Sequence, residues 1–325
     1  MDVALVVDRL RAAGCVFAED EAELLVAEAG PPGRLEELVR RRVAGEPLEH
    51  LVGWVAFDGL RIAVGPGVFV PRRRTELLVR EAAALVRPGA VVVDLCCGSG
   101  AVGAALLARH PGIDLHAADV DPVAVRCARG NLPAVPVHEG DLFAALPAGL
   151  RGRVDVLAAN LPYVPTLALA LMPPEARDHE PRTALDGGDD GLAVARRVVG
   201  GAAEWLAPGG SLLFEAGEAQ LPAAVAALTA AGLRPRVVND DERGATVVVG
   251  GRGVETGRVD DDAPICSAKG CRALAGYALV WNNPKVHTPD REKVWLACAE
   301  HREQLSHHLA SRSFLRRVDP LTPEG

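Results

Sequence analysis

Four groups of residues have the types and spacing that chemistry requires. The run Asp94-Leu95-Cys96-Cys97-Gly98-Ser99-Gly100 closes an apolar stretch and opens a helical one. Glycine there lets a ligand approach the backbone, and the loop amides and helix N-terminus offer hydrogen-bond donors. The loop lacks the lysine of a phosphate-binding P-loop, so alone it is weak evidence for a nucleotide-like ligand. Asp119 comes 19 residues after Gly100, at the end of the next strand-like run. A carboxylate in that position can accept hydrogen bonds from both hydroxyls of a ribose. Asp141 ends a third strand-like run, where an adenine would lie, and its neighbour Leu142 would form an apolar wall against the ring. Asp121, just before Pro122, is predicted to be a helix cap. Asn160-Leu161-Pro162-Tyr163 directly follows a fourth strand-like run, at the carboxyl edge where α/β sheets take ligands. The last group is Cys266-x4-Cys271 with Cys298-x2-His301. Two close pairs separated by 26 residues suit a tetrahedral structural zinc held by three thiolates and one imidazole. His287, His307 and His308 are alternative ligands, and three buried cysteines beside a surface histidine are the plainer alternative.

The elements that must position these groups follow from periodicity. Residues 91–97 (VVVDLCC) are continuously apolar, as a parallel strand buried on both faces requires. Helical AVGAALLAR, strand-like IDLHAADV, helical PVAVRCARGNL, then strand-like VPVHEGD, VDVLAAN and SLLFEAG continue the alternation. Runs at 234–249, joined by the short DERG, form a closing antiparallel hairpin. The expected fold class is α/β, a doubly wound, mostly parallel Rossmann-like sheet. A helical section over residues 1–50 precedes it, with Val3, Val6, Val7 and Leu10 on one face and Leu35, Leu38, Val39 and Val43 on another. Asp20 with Glu23 predicts a capping-box start for the second helix, and Gly45 with Pro47 a stop for the third. Residues 51–74 read as a hairpin connector turning at Asp58-Gly59. The α/β domain then spans 75–250, a Gly- and Asp-rich linker 251–263, and a small metal-binding module 264–325.

Composition narrows the function classes. Of 325 residues, 49% are hydrophobic and 24% charged, a globular balance. No apolar run approaches the roughly 20 residues of a membrane-spanning helix. The N-terminus carries Asp2, Asp8 and Arg9 instead of a signal peptide's basic start and apolar stretch, so a cytoplasmic protein is expected, with no membrane partner. Net charge of -8 argues against nucleic-acid binding through bulk electrostatics. Seven cysteines, an odd number, fit reduced thiols or metal ligands better than a disulfide framework. Three lysines stand against 32 arginines, and all three fall in the last 60 residues, which supports the boundary at the linker.

At the glycine loop and Asp119 the sequence resembles the S-adenosylmethionine-dependent methyltransferases, whose sheet also closes with an antiparallel hairpin. Their first motif usually has glycine where Cys96 stands. The resemblance implies S-adenosylmethionine as cofactor, held by Asp94, Cys96, Cys97, Gly98, Ser99, Gly100, Asp119, Asp141, Leu142 and Asn160. Asn160-Leu161-Pro162-Tyr163 resembles the Asn-Pro-Pro-Tyr signature of enzymes that methylate a planar conjugated nitrogen. Such a nitrogen is a poor nucleophile, and an Asn oxygen with the next backbone carbonyl can accept its N–H bonds and orient its lone pair. Asn160, Leu161, Pro162 and Tyr163 are therefore the expected catalytic residues. Asn-Leu-Pro-Tyr also occurs in rRNA adenine dimethyltransferases. Residues 49–79, 180–192 (EPRTALDGGDDGL) and 212–220 (LLFEAGEAQ) instead resemble the HemK-type protein-glutamine methyltransferases over about residues 1–250. That implies methyl transfer to a glutamine amide of a translation protein, a release factor or a ribosomal protein, with the helical section as a substrate-docking domain and nucleic acid not bound directly. Where that family commonly has Pro-Arg-Pro-Glu-Thr-Glu, this chain has Pro71-Arg72-Arg73-Arg74-Thr75-Glu76. Two added arginines bear on what approaches the site; Thr75 as a helix cap and the arginines as a solvated face are the plainer reading. An RNA adenine methyltransferase and a non-catalytic cofactor-binding protein carrying a zinc interaction module remain the alternatives.

Overall fold

The computed structural model describes residues 2–31, 33–253, 265–268, 271, 273–284, 288 and 291–321. It divides into two compact units, residues 1–254 and 255–325. The expected linker at 251–263 lies mostly outside the described residues, as does His287. Among the described residues no helix is long and apolar enough to cross a membrane.

The first unit opens with four helices, α1 (Val3–Ala12), α2 (Ala18–Glu28), α3 (Arg34–Val43) and α4 (Leu48–Val52). Val6, Leu10, Ala22, Leu25, Leu38 and Val39 form their shared core. Each predicted stripe has one exposed end, at Val3 and at Val43, while Val6, Leu10, Leu38 and Val39 are buried. The capping box does not form. Helix α2 begins at Ala18 behind Phe17, whose side chain makes no capping bond, and Asp20 becomes a first-turn acid instead. There it still favours the helix by facing the positive end of the dipole.

Strands β1 (Trp54–Phe57) and β2 (Leu60–Ala63) pair through Asp58-Gly59, both with positive φ, as the hairpin signal requires. Then come α5 (Glu76–Ala83), β3 (Val91–Leu95), α6 (Ala101–Arg109), β4 (Asp114–Asp119), α7 (Pro122–Asn131), β5 (Val137–Glu139) and β6 (Val154–Ala159). Short helices α8 (Pro174–His179) and α9 (Arg182–Leu185), helix α10 (Ala193–Trp205), β7 (Leu206–Glu215), α11 (Leu221–Ala230), β8 (Leu233–Asp240) and β9 (Ala245–Arg252) complete the unit. The sheet order is β5-β4-β3-β6-β7-β9-β8, with β9 antiparallel to both its neighbours, so the closing hairpin is present as expected. Every residue of β3 is buried, because side chains on one face meet α5, α6 and α7 and those on the other meet α10 and α11.

The chain reverses its winding between β3 and β6. Parallel registers Leu95↔Ala118 and Leu95↔Ala159 bring the ends of β4, β3 and β6 level. The next residues along each strand are Asp119, Cys96 and Asn160, so three distant segments of sequence meet at this switch point.

In the second unit, strand β10 (Tyr277–Trp281) lies between β11 (Lys293–Ala297) and β12 (Leu315–Pro320), antiparallel to both, with helix α12 (Arg302–Ala310) connecting the outer two. Its core is small: Leu279, Ala297 and Leu309 are fully buried, and Trp281 and Trp295 meet edge to face at 5.5 Å.

Candidate active site

An open cavity of about 1330 Å³, counting the solvent at its mouth, lies over the switch point. The cavity is lined by Asp94, Cys96 to Ser99, Asp119, Asp141, Leu142 and Asn160 to Tyr163, so all but one of the residues expected to hold cofactor or acceptor meet here. The exception, Gly100, opens helix α6 behind the loop, with φ +78°; an added Cβ would lie 2.8 Å from Leu132 Cδ1 and 3.3 Å from Ala128 Cβ, so crowding and backbone conformation both favour glycine.

The glycine loop is braced by two carboxylates. Asp119 accepts from the Gly98 amide through Oδ2 (2.8 Å) and from the Asp121 amide through Oδ1 (2.9 Å). Burial raises its pKa, and these backbone N–H groups oppose that rise. Asp94 lies beneath the loop, accepting from the Gly103 amide at 2.8 Å; burial pushes it up to about 7. Its carboxylate secures the first turn of α6. Asp121 caps α7 through the Val123 amide at 2.7 Å, as expected.

Cys96 stands at φ +56°. An L-residue in that conformation costs roughly 1–2 kcal/mol, which explains why glycine is the usual occupant. Burial holds the thiols of Cys96 and Cys97 well above the ordinary cysteine range, so neither is a thiolate nucleophile at neutral pH. Leu142 is also left-handed (φ +49°) and buried, presenting an apolar wall to the cavity. Asp141 is exposed at the rim, where it accepts from Arg197 at 2.6 Å.

At the acceptor end Leu161 is buried in the core, while Asn160 lines the cavity with no hydrogen-bond partner for its amide among the described residues. Tyr163 is largely buried, and burial raises its phenol to about 12, so it is a neutral wall. Two further residues, which spacing did not single out, hold this motif in place. Gln220 donates to the Tyr163 carbonyl and to the Asp190 carbonyl, both at 2.9 Å, and accepts from the Gly217 amide at 2.8 Å. It thereby ties the acceptor motif to the 180–192 loop. Gly191, at φ +77°, packs so closely there that a Cβ would lie 2.2 Å from the Tyr163 carbonyl oxygen. Arg42, buried within the helical section, pairs with Glu21 at 2.6 Å and with Glu175 at 2.6 Å, joining the helices to the segment after the acceptor motif. A buried arginine and a buried glutamine are recognisable only once burial is known.

The Arg72–Arg74 run is not a uniform solvated face. Arg72 is closed onto the buried Glu180 at 2.5 Å, Arg73 is exposed, and Arg74 lines the cavity with its Cζ 5.6 Å from the Tyr163 ring centre. Thr75 occupies the position before α5, but its side chain makes no capping bond.

In the second unit the ligand atoms of Cys266, Cys271, Cys298 and His301 all lie within 4.8 Å of one another. The Ile265↔Leu274 bridge folds the first pair back, and the Ser267 amide donates to Leu296 at 2.7 Å, placing it beside the end of β11 that carries the second pair.

The family model described as Methyltransferase small domain matches residues 59–170. A release factor glutamine methyltransferase of Streptomyces coelicolor is 38% identical over 239 residues, covering 67% of this chain and 85% of that one. One from Mycolicibacterium smegmatis is 41% identical over 226 residues, covering 63% and 80%. A 4-amino-L-phenylalanine/4-methylamino-L-phenylalanine methyltransferase of Streptomyces pristinaespiralis is 40% identical over 242 residues, covering 71% and 82%.

Proposed function

Because the chain belongs to the release factor glutamine methyltransferase family, we propose that it methylates the side-chain amide nitrogen of a glutamine in a release factor, with S-adenosylmethionine as methyl donor. The observation that carries this reading is the meeting of Asp119 and Asn160 across one cavity at the switch point. S-adenosylmethionine supplies an electrophilic methyl group on a sulfonium. The residues present fit it: Asp119 keeps spare lone pairs for ribose hydroxyls, and Leu142 offers an apolar contact for adenine. The Cys96–Gly100 loop would border the methionine end, narrowed by the Cys96 side chain.

Asn160 and the Leu161 carbonyl do the acceptor work in this reading. Their two oxygens accept the two amide N–H bonds, which turns the nitrogen lone pair toward the donor and holds the reacting atoms about 3–3.5 Å apart. A leucine in place of proline leaves that carbonyl in position. Tyr163 flanks the planar group. The amine of 4-amino-L-phenylalanine, named for the S. pristinaespiralis relative, is conjugated in the same way and would make the same demand on Asn160. A translation factor as substrate implies a cytoplasmic enzyme.

The second unit is proposed to hold one structural zinc. A tetrahedron with bonds near 2.3 Å to sulfur and 2.0–2.1 Å to nitrogen has edges of about 3.8 Å between sulfurs and about 3.6 Å between sulfur and nitrogen. Cys271 and Cys298 sulfurs are 4.0 Å apart, and the Cys298 sulfur is 3.2 Å from His301 Nδ1. Four protein ligands leave no position for water, so the metal would be structural.

The test is incubation of the full chain with labelled S-adenosylmethionine and release factors, locating the label by mass spectrometry. Label on a glutamine amide is expected. Label on RNA alone would overturn the substrate class.

A further inference from the structure

Among the described residues, the cations near the acceptor end differ in how fully they are engaged. Arg72 is paired at 2.5 Å with Glu180, a buried residue that also accepts from the Val70 amide. The only carboxylate within 4 Å of Arg74 is Glu215, and the approach is loose: Nε lies 3.7 Å from Oε2, beyond hydrogen-bond distance. Glu215 is only 4% exposed, and its Oε1 has no hydrogen-bond partner. The Arg74 side chain remains 45% exposed. Among the described residues, Arg74 therefore faces the cavity beside Tyr163, whose phenol its guanidinium also approaches, with no carboxylate within hydrogen-bond distance, and Arg73 next to it is exposed.

We propose that Arg74 is a specificity residue that binds a carboxylate on the acceptor, within one or two residues of the methylated nitrogen. This rests on the acceptor reading above. A guanidinium grips a carboxylate through parallel N–H···O bonds of about 2.7–2.9 Å. With the planar group against Tyr163, a partner of Arg74 can lie only a short way along the acceptor, since an extended chain spans about 3.3–3.6 Å per residue. Two sources share this chemistry: an acidic side chain next to the glutamine in a peptide, or the α-carboxylate of a free amino acid.

Calorimetric titration of the full chain loaded with S-adenosylhomocysteine separates them. The probes are end-blocked peptides Ala-Gln-Asp and Asp-Gln-Ala, their Asn counterparts, and free glutamine with its α-amide. Wild-type protein should bind an acid-bearing probe more tightly than its amide counterpart. Arg74→Glu should remove that preference, a loss on the order of 10- to 100-fold in Kd for a hydrogen-bonded charge pair, and leave the neutral probes within about twofold. Arg74→Lys should restore part of it. Preference confined to the peptides identifies an acidic neighbour of the glutamine; preference confined to free glutamine identifies the α-carboxylate and would also overturn the release-factor substrate while leaving the Arg74 assignment standing. Equal binding of acid and amide probes by the wild type, or an equal loss for both in Arg74→Glu, overturns the proposal alone. If no glutamine probe binds at all, the acceptor reading fails and this inference fails with it.

Discussion

Replacing Asp119 by asparagine tests whether one carboxylate both braces the glycine loop and holds the cofactor. In the free protein Oδ2 and Oδ1 each accept one backbone N–H, from Gly98 at 2.8 Å and Asp121 at 2.9 Å. An asparagine has one acceptor oxygen, so one amide loses its partner and faces an NH2 donor instead. Each bond to a charged acceptor contributes about 1.5–3 kcal/mol. At roughly 2–4 °C per kcal/mol for a unit of this size, Tm should fall by about 3–12 °C. The ribose hydroxyls would exchange a charged acceptor for one neutral oxygen, raising the cofactor Kd by about one to two powers of ten. Thermal unfolding without ligand reads the first effect, and calorimetric titration with S-adenosylhomocysteine reads the second. A lowered Tm with Kd unchanged within twofold would refute the ribose assignment and leave Asp119 as a loop brace only.

Three other outcomes follow from the same geometry. Asn160→Ala should abolish transfer in a labelled-methyl assay while cofactor Kd stays within a few-fold; retained transfer would remove Asn160 from the acceptor site. Burial raises Asp94 from its ordinary 3.8 to about 7, so the folded chain holds this proton more tightly than the unfolded one. The resulting stability is complete below about pH 4 and is lost as pH rises through 7, at up to about 1.4 kcal/mol per pH unit. Asp94→Asn keeps an acceptor for Gly103 and should remove that increment from denaturation curves measured between pH 4 and 7; an unchanged slope would mean that Asp94 ionises freely. Elemental analysis should find one zinc per chain. Chelation or Cys271→Ser should make residues 255–325 protease-sensitive and shift the emission of Trp281 and Trp295 while cofactor binding survives; a metal-free yet protease-resistant tail would count against the site.

Helices, strands and hairpins were legible in the sequence wherever a local rule is strong. VVVDL could only be a strand buried on both faces, and Asp58-Gly59 could only turn. Asp121-Pro122 caps α7, and AVGAALLAR forms α6 as predicted. The Asp20 capping box failed because the signal is weak and α2 gains by starting a turn earlier, where Ala18 can be buried. The candidate site was legible as a list of residue types at the ends of successive strands, since a parallel sheet places those ends at one edge. Register decided which of them meet: Leu95 aligned with both Ala118 and Ala159 makes Asp119 and Asn160 share a cavity. Side-chain burial decided the rest. Asp94 is a buried brace and Asp119 serves the loop as well as the cavity. Gln220 locks the acceptor motif, and Arg74 faces the cavity while Arg72 is spent on Glu180. Each depends on how far a side chain is from water and which distant atom lies within about 3 Å, and those distances exist only after the chain has packed.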